Sequence, residues 1–306
     1  MLLALLPLAL ATQVSYEVVP CPLGGEETKV FYKLAANTHG GWDSDLASYS
    51  TEGQWREYAL ATCPDSLLTL YSEDMGKPLD PKLAPAIEKK LAELRKQYKL
   101  DADNVETWER YLIAAEMYKI LGKDHRFLAQ LYLEASWVAR DEAVGLYMGL
   151  EGPIAARTLL DQGELELKKS LEPRQRKILL HNLARVAHRG GYNADRDRYV
   201  SQFEAVGNLD ADEKRAIADL KHYGREVEPK LQRLAVAELK AHLAAEPADP
   251  VELARSTYLL ADLARRLGEF QEAARGYALV LTLREAPDEL RELSAYLGSS
   301  LPAEKK

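Results

Sequence analysis

The 306-residue chain has few of the residues and none of the short motifs that usually identify an enzyme. It contains only two cysteines, four methionines and four phenylalanines. It lacks the H-E-x-x-H motif of metalloproteases, the G-x-S-x-G motif of hydrolases, and the glycine loops that bind phosphates or dinucleotides. These common signatures are therefore excluded, although a catalytic site can still assemble in space from scattered residues.

The chain also has fewer basic than acidic residues. Lysine and arginine number 40 against 48 acidic residues, which leaves a net charge of −8. Such a surface argues against phosphate binding, and therefore against a nucleic-acid partner. Hydrophobic residues make up 47% of the chain, which is typical of a protein with a packed core, and the abundance of leucine and alanine favours helices.

No apolar run approaches the roughly 20 residues needed to cross a bilayer, so we expect no integral membrane span. The N-terminal run over residues 1–11, MLLALLPLALA, resembles the apolar part of a secretory signal peptide, and Ala9-Leu10-Ala11 matches a cleavage site after Ala11. We therefore predict an exported protein, periplasmic or extracellular. Because no lysine or arginine precedes the run, a buried N-terminal segment or a start codon placed a few residues late remains an alternative, with a cytoplasmic location.

The segment from about residue 13 to 73 has the period of two that is typical of strands. Val14, Tyr16 and Val18 alternate with polar residues, and further short β-branched or aromatic runs follow. The polar, glycine-bearing stretch 37–53 predicts a loop. We expect a small β-rich module over residues 12–77. Its further predicted strands are 29–34, 58–62 and 67–71.

From residue 78 to 300 the apolar spacing changes to three and four, which predicts helices. The clearest helix pair spans 253–285, where Leu267-Gly268 ends the first helix and small residues such as Ala261 and Ala264 allow close approach. This pattern is typical of tetratricopeptide (TPR) repeats. The predicted fold is mainly α: a TPR-like array of helical hairpins, a solenoid or bundle, followed by a disordered tail over 301–306. Two weaker pairs are predicted over 108–139 and 178–203.

The two cysteines each begin a turn that resembles half of a zinc knuckle. Cys21-Pro-Leu-Gly24 and Cys63-Pro-Asp-Ser66 keep the first ligand, but glycine and serine occupy the second ligand position. In an exported protein we expect a disulfide between Cys21 and Cys63, whereas in the cytosol two free thiols are expected. A residual zinc site is a third alternative. It would use Cys21, Cys63 and His39 with a carboxylate from Asp43 or Asp65.

Four short stretches make the chain similar to a bacterial family known as domain of unknown function 2225. That family combines an N-terminal zinc-ribbon-like segment with C-terminal TPR-like helices, and it carries no established activity. The resemblance therefore implies an architecture and no cofactor, because this chain departs from the family at the second cysteine of each knuckle. The stretches are CPLGG at 21–25, GWDSDL at 41–46, ATCP at 61–64 and ASWVARDE at 135–142.

TPR-like arrays usually bind an extended peptide or a helix in a groove lined by the first helix of each pair. The residues that the pattern places there are net basic in the middle and last pairs, which predicts a protein or peptide ligand with acidic groups or a C-terminal carboxylate. A solvated face without a ligand is the alternative. The groove candidates are Arg255, Tyr258, Asp262, Arg265 and Arg266, then His181, Arg185, His188 and Arg189, and finally Glu109, Leu112, Glu116 and Lys119.

The sequence thus predicts a non-enzymatic adaptor or scaffold of the bacterial cell envelope that binds a partner segment in a helical groove. Two alternatives remain open. One is a structural subunit of an envelope assembly. The other is a hydrolase whose site lies at the junction between the β module and the helices.

Overall fold

The computed structural model describes residues 12–99, 104–144, 149–245 and 249–302. The predicted signal peptide over 1–11 lies outside the described residues, as do residues 303–306 of the predicted tail. Within the described ranges the chain is mainly helical and carries three small sheets. The predicted mainly α character with a small β component is confirmed at this level.

The strands cluster near the N-terminus, with one exception. A hairpin of β1 and β2 is followed by two very small sheets, of which the β3 sheet receives a parallel strand, β7, from far along the chain. Strands β3 and β4 fall inside the stretch predicted as a loop, and β7 was not predicted. The strands are β1 Gln13–Pro20, β2 Glu27–Ala35, β3 Gly41–Trp42, β4 Ser48–Tyr49, β5 Leu60–Thr62, β6 Thr69–Tyr71 and β7 Leu150–Glu151.

The helices begin directly after β6. A 3₁₀ turn at Trp55–Glu57 precedes them, and a π-helical turn at Tyr223–Val227 joins α8 to α9. The helices are α1 Ser72–Met75, α2 Ala84–Tyr98, α3 Thr107–Ile120, α4 His125–Val144, α5 Gly152–Leu167, α6 Pro173–Gly190, α7 Asn193–Val206, α8 Ala211–His222, α9 Glu228–Ala244, α10 Pro250–Arg266, α11 Phe270–Thr282 and α12 Asp288–Ser299.

Local sequence explains where the two most important helices begin and end. Helix α6 starts at Pro173, whose fixed φ suits the first turn, and stops at Gly191, which adopts a φ of 71°. Helix α10 starts at Pro250, and the Asp249 side chain accepts a hydrogen bond from the Val251 N–H. Both helices therefore have defined ends, and both direct a polar face towards the middle of the molecule.

Consecutive helices pack in pairs: α3 on α4, α6 on α7 and α10 on α11. Helix α4 also packs along α9, although the two are far apart in sequence. One continuous apolar core runs from Cys21 and Val30 in the N-terminal part to Leu297 in α12. The strands and the helices therefore share a core, and this shared packing positions the site described below.

The two cysteines lie close together and are both buried. The Sγ atoms of Cys21 and Cys63 are at disulfide distance, and their Cα atoms are 5.9 Å apart. The pair connects the turn after β1 with the turn after β5. None of the described helices is both long and apolar enough to cross a lipid bilayer.

Candidate functional site at the β–helix junction

The turn between β3 and β4, Asp43-Ser44-Asp45, is the most unusual buried segment of the structure. All three side chains are buried, and a hydrogen bond from Leu46 N to Asp43 O closes the turn. We refer to Asp43–Asp45 as the acidic turn. Two ionised carboxylates cannot be buried without cations and hydrogen-bond donors to compensate them, so the surrounding helices have to supply both.

Helices α4 and α6 supply the first two cations. The Nη1 of Arg140 donates to Asp43 Oδ2 at 2.9 Å and to Asp45 Oδ1 at 3.0 Å, and its Nε donates to Glu228 Oε1 at 2.9 Å. The Nε of Arg189 donates to the other Asp43 oxygen at 3.0 Å. Arg140 thus joins the acidic turn to α9, and Arg189 joins it to α6.

Helix α10 binds the middle of the turn. Ser44 donates from Oγ to Asp262 at 2.8 Å and accepts from Arg265 at 2.8 Å and Arg266 at 3.0 Å. The Tyr258 hydroxyl donates to the Ser44 carbonyl at 2.6 Å. The charges in this buried ionic cluster balance. Its carboxylates are Asp43, Asp45, Glu228 and Asp262, and its guanidinium groups are Arg140, Arg189, Arg265 and Arg266.

The cluster lowers the pKa of the acids Asp45, Glu228 and Asp262 and of His188. Burial alone would raise the pKa of Glu228, but Arg140 and His188 outweigh burial and lower that pKa to about 2. Burial lowers the pKa of His188 below its usual range, and the attraction of Glu228 offsets this only in part. His188 Nδ1 lies 3.2 Å from Nη1 of Arg196, which can only donate. The other ring nitrogen therefore carries the proton and faces Glu228 at 3.0 Å.

The structure corrects the prediction of an open ligand groove. Most of the predicted groove residues face the interior, where several of them contact the chain's own acidic turn. Helical spacing identified which residues share a face, but spacing carries no information about what covers that face. The buried candidates are Tyr258, Asp262, Arg265, Arg266, Arg185, His188, Arg189 and Leu112. Glu109, Glu116 and His181 are half-buried, and Arg255 and Lys119 are exposed.

Of the alternative zinc ligands, Cys21 and Cys63 lie together, but His39, Asp43 and Asp65 do not complete a site with them. Within the described ranges, no three His, Cys, Asp or Glu side chains form a group able to hold a metal ion. His39 is exposed, Asp43 belongs to the ionic cluster, and Asp65 accepts a hydrogen bond from the Glu26 N–H at 2.9 Å. The zinc alternative therefore has no geometric support in the described residues.

Next to the cluster, a cavity of about 610 Å³ opens between β2, β4 and α4. We call it the junction cavity. Its size lies within the usual range for ligand sites, roughly 300–1,000 Å³. Its aromatic lining residues are Phe31, Tyr32, Tyr49, Trp55, Tyr71 and Trp137.

Two charged groups in the cavity wall are already partnered. Glu134 accepts hydrogen bonds from the Tyr71 hydroxyl and the Gln130 amide, each at 2.9 Å, and burial raises the pKa of Glu134. Arg56 donates to the Ser48 carbonyl at 2.9 Å and to Asp141 at 2.8 Å. The cavity is therefore a polar, aromatic space without a strong net charge on these walls.

One wall of the cavity is the edge of strand β2. The Phe31 N–H donates to Ser72 Oγ at 3.1 Å, so it points away from β1. Because main-chain direction alternates along an antiparallel strand, the Lys33 N–H and C=O point the same way, towards the cavity. The Lys33 ammonium lies 5.8 Å from the centre of the Trp55 ring. The cavity thus contains a strand edge beside an aromatic surface.

Two of the stretches that carry the family resemblance meet at this site. Segment 41–46 contacts segment 135–142 through Arg140, and Trp137 Nε1 lies 3.1 Å from Asp45 Oδ2. Both stretches were noted in the sequence, but their contact was not predicted. The cavity residues Trp55 and Glu134 were missed altogether, since each is a single polar or aromatic residue without a motif.

No family model matches this chain, and no curated protein and no solved structure is significantly similar to it. The family resemblance therefore stays a prediction, and the chemistry of the junction is the basis for assigning a function.

Proposed function

We propose that this protein is an adaptor that binds an extended segment of a partner protein in the junction cavity. The segment would add to the edge of β2 as a further strand. The observation that carries this proposal is the direction of the Lys33 main-chain groups, which face an open cavity and not another strand. Strand addition is a common way to bind peptides, because main-chain hydrogen bonds supply affinity for almost any sequence.

The cavity walls define the ligand chemistry. Trp55 and Tyr71 offer aromatic surface to alternate side chains of an added strand, while the exposed Lys33 and Glu73 place one positive and one negative charge among the lining residues. Apolar or aromatic side chains fit the aromatic walls, and an acidic group or a C-terminal carboxylate fits the Lys33 end of the cavity. The ionic cluster supports the proposal indirectly, since it holds the β3–β4 wall firmly against the helices and so preorganises the cavity.

We also propose that the helices form a TPR-like array and that the N-terminal strands form a ribbon-like module. A TPR-like array is supported by the glycine turns between paired helices and by the contact of α10 with α11. A Cβ added at Gly276 would lie 2.6 Å from Ala261 Cβ, so small residues set this approach. The turns at Cys21 and Cys63 fit a ribbon-like module that has lost half of its ligands. In this account the helices act mainly as the scaffold.

Export to an oxidising compartment is also proposed. A cysteine pair at disulfide distance fits the periplasm or the extracellular space better than the cytosol. The measurement is mass spectrometry of the protein from its native host without reduction. We expect a chain that begins at Thr12 and has no free thiol, whereas an intact Met1 with two free thiols would contradict export.

The binding proposal is tested with peptides selected from a random library on the purified protein. Lys33→Pro removes the N–H that faces the cavity and leaves the hydrogen bonds to β1 in place, because proline is tolerated at strand edges. Lys33→Ala removes only the side chain and serves as the matched control. We expect Lys33→Pro to abolish binding of apolar, acidic peptides and Lys33→Ala to weaken it modestly. Equal affinity of the two variants would refute strand addition.

Hydrolysis at the same place is a second candidate, favoured by Glu134. A buried carboxyl group with a raised pKa in a cavity is a typical candidate for a general acid. Glu134→Gln preserves the contacts with Tyr71 and Gln130 but cannot titrate. If the protein cleaves the selected peptides and Glu134→Gln binds without cleaving them, the cavity is catalytic. If the wild-type protein leaves the bound peptides intact, the adaptor function stands alone.

A further inference from the structure

We infer that two copies of this chain associate through the outer edge of strand β1, forming a four-stranded sheet across a two-fold axis. Among the described strands, β1 pairs with β2 only, and no other described element packs extensively on it. Its other edge is eight residues long and carries unpaired main-chain groups, which is a ready surface for another strand.

The hydrogen bond from Phe31 N–H to Ser72 Oγ also fixes the direction of the main-chain groups of β1. Tyr16 lies opposite Phe31, whose N–H points away from β1, so the two strands exchange no main-chain hydrogen bond at this pair. The N–H and C=O of Tyr16 therefore point outwards, and by alternation so do those of Val14 and Val18. Three successive outward positions are enough to pair with an identical strand.

The side chains favour a second copy as the occupant of this edge. In an antiparallel pairing centred on Tyr16, each Tyr16 lies opposite its equivalent, and Val14 lies opposite Val18 of the second copy. Tyr16 and Val18 are 57% and 50% exposed, so both side chains are accessible to a second copy. Within one copy the rings of Phe31 and Tyr16 are 6.1 Å apart between centres. The pairing would place the two Tyr16 rings side by side, so that Phe31 and Tyr16 of both copies form a row of four rings.

The charges fit the same register. On the opposite face Glu17 would lie across from Ser15 of the second copy, so no like charges meet. The outward positions of β1 hold no lysine or arginine, and its only proline, Pro20, stands at the end of the strand. Apart from Glu17, which would face Ser15, the middle of β1 therefore lacks the charges and prolines that usually prevent strands from pairing edge to edge.

Sedimentation equilibrium of the full exported chain tests this association. We expect twice the monomer mass at high concentration, and Val18→Lys to weaken the dimer at least about tenfold by placing a charge opposite Val14 of the second copy. Leu165→Lys, at a 60% exposed leucine on α5, is the matched control and should leave the dimer unchanged. A protein that stays monomeric up to its solubility limit, or a dimer unaffected by Val18→Lys, would overturn the inference.

Crosslinking provides a second test that does not depend on the strength of the dimer. Directly opposed residues in an antiparallel hydrogen-bonded pair have Cα atoms about 5.5 Å apart, a separation suited to a disulfide. Tyr16→Cys should therefore crosslink to itself on mild oxidation, and the mass spectrum should show two copies of the same β1 peptide joined through the substituted position. Leu34→Cys, which is more exposed but distant from the proposed axis, should not. Equal crosslinking of both variants would contradict the register.

Discussion

At the scale of single residues, the buried ionic cluster is the feature most sensitive to substitution of one member. Its four carboxylates and four guanidinium groups balance, so none of these charges is left uncompensated in the interior. Such clusters add little net stability relative to apolar packing, but losing one member is costly because it leaves opposite charges buried and unpaired. The cluster therefore specifies how the acidic turn sits on the helices.

Arg140→Met is the most direct test of that dependence. Arg140 contacts Asp43, Asp45 and Glu228, and we expect its loss to reduce the free energy of unfolding by about 3–5 kcal/mol. The control is Arg275→Met, which removes an exposed ion pair with Glu272 and should cost less than about 1 kcal/mol. Urea denaturation of both variants measures the difference. Equal losses would mean that burial of the cluster carries no special penalty.

His188 predicts a dependence of stability on pH. Its pKa is lowered in the folded protein, so at pH 6 the unfolded chain binds a proton that the folded chain does not. Stability is therefore full above the usual histidine pKa of about 6.5 and falls as the pH drops below it. Glu228 has a pKa of about 2, so its contribution to stability is lost only below roughly pH 4.3. The loss of stability caused by His188 therefore occurs at a higher pH than the loss caused by Glu228.

The measurement is the free energy of unfolding between pH 8 and pH 5.5 for the wild type and His188→Gln. Glutamine keeps one donor for Glu228 and one acceptor for Arg196 but does not titrate. We expect the wild-type stability to fall more steeply across this range than that of the variant, in which His181 still titrates with a lowered pKa. Parallel curves would show that His188 is not the responsible group.

At the scale of elements, the sequence predicted long periodic segments well and very short ones poorly. Helices α3, α6 and α10 follow from apolar spacing with glycine or proline at their ends, and the β1–β2 hairpin follows from alternation. Strands β3, β4 and β7 have two residues each, too few to show a period. Strand β7 pairs with β3 from far along the chain, and β3 and β4 form a ladder of only two residue pairs, so local sequence holds little signal for them.

Gly41 shows how tightly those short strands approach each other. It adopts a φ of 85°, and an added Cβ would lie 2.1 Å from the Leu150 carbonyl oxygen of β7. Gly24 has a similar φ of 82° with no atom within 4 Å, so it is a matched control. We expect Gly24→Ala to cost about 1–2 kcal/mol from backbone strain and Gly41→Ala clearly more. Similar melting temperatures for the two variants would contradict the close approach of β3 and β7.

At the scale of the whole molecule, the sequence identified the basic residues of α6 and α10 and the acidic turn. It did not predict that they contact each other. The basic residues of α6 and α10 were predicted to bind an acidic ligand, and the acidic turn was part of a noted stretch. Arg189 and Asp43 are 146 positions apart, and no local rule connects residues at that separation. The basic face is therefore occupied by the chain itself, and the proposed partner site lies in the junction cavity instead.

The Cys21–Cys63 pair should stabilise the whole molecule, because it closes a loop of 42 residues next to the shared core. In the chain-entropy model such a loop contributes about 4 kcal/mol. We expect the double variant Cys21→Ser, Cys63→Ser to lose stability of this order and to match the wild type under reducing conditions. Unchanged stability of the double variant would show that the pair is not bonded in solution.

The central claim is that a partner segment adds to the edge of β2 inside the junction cavity. Amide hydrogen exchange by NMR, with and without a selected peptide, tests it most directly. The Lys33 amide faces the cavity and should exchange much more slowly once the peptide binds, whereas the Tyr32 amide, which faces β1, should not change. A peptide that binds while Lys33 exchanges at its original rate would contradict the account.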